Sequence, residues 1–277
     1  MRKEFSAAIE KLALADESIL FITGDLGYNA LENLQEKLGR RFINAGVAEQ
    51  NMVGVAAGMA YKGFKVFCYS IAPFAVYRCL EQFRNDACLH NLPVFLVGNG
   101  GGYGYGIMGS THHAIEDLAC LSSLQNVKTW IPAFSDEVEP VLTQIVQEKR
   151  PAYMRLGVGP LTPEGAVLSG SLKKIVHAPN AQTAIVALGP IAANVLNRTY
   201  PSAATLRYHT GRIAKGEQYF GGGRTRKHWR SGTTTFGKTA GSGHSSAAFS
   251  VTCRSGIPQW PLWQSKLSPN PIRVGRS

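Results

Sequence analysis

The sequence predicts an α/β fold, a parallel sheet with helices on both faces, and two observations carry that expectation. Strand-like and helix-like runs alternate regularly up to about Leu196, and alternation at this spacing implies strands joined by crossover helices that cover a parallel sheet on both sides. The 277 residues are 44% hydrophobic, ample for a real core of one to two domains. Ligands of such sheets sit beyond the carboxyl ends of the strands, and Glu49, Tyr69, Asn99 and His112 all fall on segments just past predicted strand ends.

The first element is a helix over Lys3–Ala15. Its surroundings, MRKEFSAAIEKLALADES, read as amphipathic with acids interspersed rather than as a secretory signal. Strand Ile19–Thr23, helix Ala30–Leu38 and strand Arg41–Asn44 come next. A helix over Ala48–Tyr61 follows from spacing: Met52, Val53, Ala56, Ala57 and Ala60 recur at three and four residues, and Asn44 and Gly46 mark the turn before it. Its packing face is nearly all Ala, Gly and Val, so something bulky must approach closely. Strand Lys65–Tyr69, helix Val76–Asn91 and strand Val94–Gly98 lead into a Gly-rich loop, Gly98–Gly109 (GNGGGYGYGIMG). Helix Ala114–Ser122, strand Lys128–Ile131, helix Asp136–Lys149 and strand Ala152–Leu156 complete the unit.

The expected domains are residues 1–160, a linker over 161–172, the start of a second α/β domain over 173–197, and a tail over 198–277. Charge divides the chain in the same way. Residues 1–190 hold 16 Lys and Arg against 17 Asp and Glu, whereas residues 191–277 hold 13 against the single acid Glu217. The net charge of +11 therefore belongs to the tail, which shows no aromatic interleaving of the kind a nucleic-acid surface needs, and no nucleic-acid partner is expected. A tail so rich in Gly, Ser, Thr and Arg is expected to be disordered. Codons chosen for Phe220 onward and read one nucleotide later give SVVEEHGNIGGAGQLLSARLLEAGI, ordinary protein sequence, and the same shift after Asn197 continues the helix begun at Ile191. The tail is accordingly read as frameshifted. No apolar run approaches the roughly 18 residues that span a bilayer, so no membrane partner is expected. The five cysteines show no CxxC pairing, and the reading is reduced thiols in a cytoplasmic protein.

Glu49 opens the helix of the run NAGVAEQNMVGVAAGMA. Taken alone, a Glu in a first helical turn is also what the helix dipole favours. The Gly-rich loop contains neither GxGxxG nor a GK[ST] ending, so dinucleotide and P-loop readings fail; a mobile surface loop is the other reading. His112 and His113 are adjacent and do not point at one metal ion from a regular element.

The runs RFINAGVAEQNMVGVAAGMAYKGFKVFCYSIAPFAVYRCLEQFRND and GGGYGYGIMGSTHHAIEDLACLSSLQNVKTWIPAF resemble the pyrimidine-binding domain of transketolases, and more narrowly the C-terminal subunit of a split transketolase; the resemblance covers residues 5–195. It implies thiamin diphosphate as cofactor and transfer of a two-carbon ketol unit from a ketose to an aldose. Glu49 would hydrogen-bond a ring nitrogen of the cofactor's aminopyrimidine and favour its imino tautomer, a proton path the protein supplies to chemistry that belongs to the cofactor. His112, after Thr111, would contact the substrate as proton donor or oxyanion partner. Tyr69 and Phe74 are the candidates for stacking on the pyrimidine, or are core aromatics. Asp25, in TGDLG, matches a family acid near the cofactor or caps a helix. Arg155, in YMRLG, lies where the family has a substrate-phosphate Arg, or is a solvated strand-end charge.

Met108 stands where many transketolases have an acid that binds a sugar hydroxyl, which points to a deoxy or otherwise modified donor. The family's metal motif starts GDG, and the GD here, Gly24-Asp25, is followed by Leu26. The resemblance therefore implies that Mg²⁺ or Ca²⁺ and the diphosphate are held by a partner, an N-terminal transketolase-like subunit, in an α₂β₂ heterotetramer. An inactive or non-catalytic interaction subunit of the same fold is the alternative.

Overall fold

A computed structural model describes residues 1–164, 172–176, 183–197 and 204–209. Its main sheet has six strands: β1 (Ile19–Thr23), β2 (Phe42–Asn44), β3 (Lys65–Ile71), β4 (Val94–Asn99), β5 (Lys128–Trp130) and β6 (Ala152–Leu156). They lie in the order β2-β1-β3-β4-β6-β5, and every neighbouring pair is parallel. The expected α/β class and parallel sheet hold.

Period-two alternation along the strands sends side chains into two cores. On one face α1 (Arg2–Ala15), α2 (Glu32–Leu38) and α7 (Val138–Glu148) pack Phe5, Ile9, Leu34, Leu142 and Ile145 onto Phe21, Phe67, Tyr69 and Phe95. On the other, α3 (Glu49–Tyr61), α6 (Asp117–Ser122) and the helical segment before β4 pack Met52, Val53, Ala56, Phe83 and Leu121 onto Ile22, Cys68, Leu96 and Tyr153. Strands buried on both faces are continuous apolar runs, as β1 is, because neither side chain direction meets water.

Three helices differ from expectation. The helix predicted over Val76–Asn91 begins earlier and breaks: α4 covers Ala72–Val76, residues 77–79 form a turn, α5 covers Leu80–Gln82, and a π-helical turn runs over Phe83–Cys88. Pro73 sits in the first turn of α4, where its missing N–H costs nothing, and Cys79 leaves helical geometry at φ −115°, ψ 21°. The helix expected from Ala114 begins only at Asp117, because Ala114 exchanges backbone hydrogen bonds with Gly102 and the Tyr77 hydroxyl takes the Glu116 N–H. Likewise α2 starts at Glu32, after a turn in which the Ala30 and Leu31 amides bond the Gly27 carbonyl.

The beginning of the expected linker is tied down. The Pro160 carbonyl accepts from the Ser135 amide, and Asp136 accepts from the Thr162 amide and hydroxyl. Beyond it lie β7 (Leu172–Val176), β8 (Thr183–Leu188), α8 (Ile191–Asn197) and β9 (Ala204–His209), a three-stranded sheet in the order β7-β9-β8 with β9 antiparallel to β7 and parallel to β8. Residues 204–209 of the tail form strand β9, and the Thr, Leu and Tyr of that stretch have strand propensity. The rest of the tail, and with it the frameshift reading and Cys253, lies outside the described residues. Among the described residues no helix is long and apolar enough to cross a membrane.

Asp16 ties the end of α1 to β3. Its carboxylate accepts from the Lys65 ammonium, from the Ser18 hydroxyl and from the Ser18 amide. Lys65 first, then Ser18, holds its pKa down at about 2. A carboxyl depressed in the folded state adds stability above its unfolded pKa and loses it as pH falls through the folded value. Stability curves between pH 5 and pH 2 should accordingly fall more steeply for the wild type than for Asp16→Asn; parallel curves would show that this ion pair is idle.

Candidate active site

The loop from β2 to α3 delivers Glu49 to the carboxyl end of the sheet. Asn44 Oδ1 accepts from the amides of Asp25 and Gly46, and Gly46 takes φ +69°, which glycine reaches without strain. Glu49 is 1% exposed. Its Oε1 accepts from Ser70 Oγ at 2.9 Å and its Oε2 from Arg78 Nη1 at 2.6 Å. A Cβ on Gly24 would lie 3.3 Å from Glu49 Cγ and 3.4 Å from Ser70 Oγ, so the strand-end glycine gives the carboxylate its room. A buried carboxylate needs such partners, since a charge taken out of water without them is costly.

Aromatic groups continue the site outward. The Arg78 guanidinium lies over the Phe74 ring, 4.4 Å from its centroid. Phe74 meets the His112 ring edge to face at 5.1 Å, and Tyr105 stands 5.9 Å from His112. Thr111 Oγ1 is 3.0 Å from His112 Nδ1, and Asn99 Nδ2 donates to the Tyr105 hydroxyl at 2.8 Å, a phenol whose pKa burial pushes up. Glu49, Arg78, Phe74, His112, Tyr105 and Asn99 form one contiguous row of contacts.

The Gly-rich loop that carries His112 is closed at its neck by the paired backbone bonds of Gly102 and Ala114. Beneath it, Arg155 Nη1 donates to Asp117 Oδ1 at 2.9 Å and Oδ2 at 3.2 Å, and the Tyr153 hydroxyl donates to Asp117 Oδ2 at 2.8 Å. A Cβ on Gly101 would stand 2.3 Å from Arg155 Cδ, so only glycine lets the loop rest on this side chain.

Residues 1–162 match the family described as transketolase, pyrimidine binding domain. The chain belongs to that family. It is 34% identical over 157 residues to an apulose-4-phosphate transketolase subunit of Phocaeicola vulgatus, covering 56% of this chain and 50% of that protein. It is 33% identical over 157 residues to a putative transketolase C-terminal section of Methanocaldococcus jannaschii, with the same 56% and 50% coverage. Among solved structures, a split gene transketolase described as an inactive beta4 tetramer is similar with a TM-score of 0.62 and 28% identity, over 75% of this chain and 70% of that one. The chain spans about half the length of the curated relatives it matches. These relatives are transketolase-type transferases, and the family implies thiamin diphosphate.

Within this transketolase domain the expected site residues divide. Glu49, Phe74 and His112 are brought together. Tyr69 is not: it is 2% exposed, packed on Phe5 and Phe21 in the core on the opposite face of the sheet from Ser70, and offers no free face for stacking. Period-two alternation explains the correction, because the next residue, Ser70, faces Glu49 instead. Asp25 adopts φ +57° and accepts from Asn44 Nδ2; it stands next to Gly24 but caps no helix and does not touch Glu49. Arg155 is not a solvated strand-end charge, since its side chain is 15% exposed and its Nη1 donates to Asp117. Met108 is exposed at the loop. Sequence reasoning missed Ser70, Arg78, Tyr105 and Asp117. Among the described residues no group of three or more His, Cys, Asp and Glu is placed to hold a metal ion.

Proposed function

We propose that this chain is the pyrimidine-binding subunit of a transketolase-like transferase that moves a two-carbon ketol unit from a ketose to an aldose with thiamin diphosphate, and that it works only with a separate diphosphate-binding subunit that holds Mg²⁺ or Ca²⁺. The observation that carries the reading is Glu49, a buried carboxylate with a polar partner on each oxygen and the half-buried ring of Phe74 beside it. That donor set fits an aminopyrimidine, which needs one carboxylate oxygen at a ring nitrogen and a flat apolar contact. When bound, thiamin diphosphate supplies the carbanion chemistry that breaks and makes the carbon–carbon bond. Ser70 fixes the Glu49 carboxylate by its Oε1, and Oε2, which accepts from Arg78 here, is the oxygen that would meet the ring nitrogen once that guanidinium moves aside. His112, oriented by Thr111 and walled by Phe74 and Tyr105, holds a proton at the edge of the site where a substrate oxygen would lie. Asp117 and Arg155 support the loop that bears it.

The apulose-4-phosphate transketolase relative, and an exposed Met108 on the loop before His112, favour a modified sugar as donor. The expected assembly is an α₂β₂ heterotetramer in the cytoplasm. A second reading, a non-catalytic interaction subunit, is favoured by the relative described as an inactive beta4 tetramer. Mixing the full chain with an N-terminal transketolase-like partner separates the two. Ketol transfer that requires both chains, thiamin diphosphate and the cation is the expected result, and a stable complex without transfer under any donor would establish the second reading.

A further inference from the structure

We infer that Arg78 is a built-in occupant of the pyrimidine place, a side chain that fills the site until the cofactor ring displaces it. The inference rests on the cofactor reading above and adds a competitor to it. A guanidinium is flat, carries N–H donors in its plane and presents two faces. Arg78 uses both properties at once: Nη1 donates to Glu49 Oε2 at 2.6 Å while the same group lies 4.4 Å from the Phe74 centroid. A nitrogen on Glu49 and a face on Phe74 are the two contacts an aminopyrimidine would make here. Arg78 lies within the break in the helix at residues 77–79.

Two consequences follow from placement. Without a ligand, Glu49 is not left as an unpaired buried charge, because Arg78 neutralises it. Arg78 itself has a route out, since its side chain is 38% exposed and can return to water with little loss. Ring entry is therefore an exchange of partners on Glu49, and the apparent affinity is the intrinsic affinity multiplied by the fraction of molecules in which Arg78 has left the place.

The test is the dissociation constant of thiamin diphosphate, with Mg²⁺, for the full chain in complex with its diphosphate-binding subunit. Arg78→Ala should bind roughly tenfold more tightly than wild type, the scale of a charge-assisted hydrogen bond discounted for exposure. Arg78→Lys, which keeps the charge but loses the flat face, should lie between. Arg78→Gln, which leaves Glu49 a neutral donor, serves if the alanine variant folds poorly, and should also bind more tightly than wild type. Equal or weaker binding by these variants, together with weaker binding by Glu49→Gln, would overturn the inference and leave the cofactor reading standing. Binding by the Arg78→Ala protein that a further Glu49→Gln leaves unchanged would overturn the cofactor reading, and the inference with it, since with Arg78 absent no loss of a competitor offsets the loss of the ring's partner.

Discussion

Glu49→Gln is expected to leave the chain folded and to lower thiamin-diphosphate-dependent turnover of the two-subunit complex by about 10²- to 10⁴-fold, the span typical of a positioned acid–base group. Glutamine has nearly the same shape, so the packing of α3 is untouched, and the Ser70 hydroxyl can still bond its amide oxygen. The Arg78 guanidinium loses an anionic partner but is 38% exposed, so it is rehydrated rather than stranded. What disappears is the carboxylate's ability to exchange a proton with a ring nitrogen, which an amide cannot do. Far-UV circular dichroism and a denaturation midpoint check the first half of this expectation, and turnover with the partner present checks the second. Near-normal turnover would remove Glu49 from the chemistry.

Asp117→Ala should do the opposite, acting first on stability, with a loss of about 3–5 kcal/mol, the usual cost of removing one member of a buried ion pair. Asp117 is 0% exposed and takes Arg155 Nη1, the Tyr153 hydroxyl and the Leu118 amide. Its removal leaves the Tyr153 phenol without that acceptor in a fully buried position. Burial first, then the Asp117 charge, pushes the pKa of that phenol well above its ordinary value, so it stays a protonated donor and cannot shed its proton to escape the loss. Arg155, at 15% side-chain exposure, is left as a poorly hydrated cation beneath Gly101. Asp117→Asn, which keeps acceptors for some of these donors, should lose less. Denaturant unfolding of the three proteins gives the comparison; a change below about 1 kcal/mol in the alanine variant, the size of an ordinary surface contact, would mean the network is dispensable.

How far the sequence could be read follows the range of the interactions involved. The six strands of the main sheet were legible because doubly buried strands are continuous apolar runs, and the start of α3 at Glu49 was legible because a turn at Gly46 and a three-and-four spacing fix it. A role for Glu49 came only from the resemblance of the run around it. The helix before β4 was not, because Pro73 and the non-helical Cys79 divide what periodicity alone joins. Arg78 was passed over there because its partner Glu49 lies 29 positions away in sequence, a contact no local periodicity shows. Tyr69 and Ser70 show a finer limit: a strand end was located, but which of two neighbours faces the site depends on register, and a one-residue step exchanges core for site. Asp117 was passed over in THHAIED because its partner, Arg155, lies 38 residues on, on a strand whose pairing no local pattern shows. Arg155 was noticed, but its role was set by that unseen partner.

A crystal structure of the two-subunit complex with thiamin diphosphate bound would test the central claim most directly. In it a ring nitrogen of the aminopyrimidine should lie within about 2.6–3.2 Å of Glu49 Oε2, ordinary hydrogen-bond reach, with Phe74 against the ring and Arg78 displaced toward solvent. A cofactor seated elsewhere, with Glu49 still joined to Arg78 and Ser70 as it is here, would contradict it.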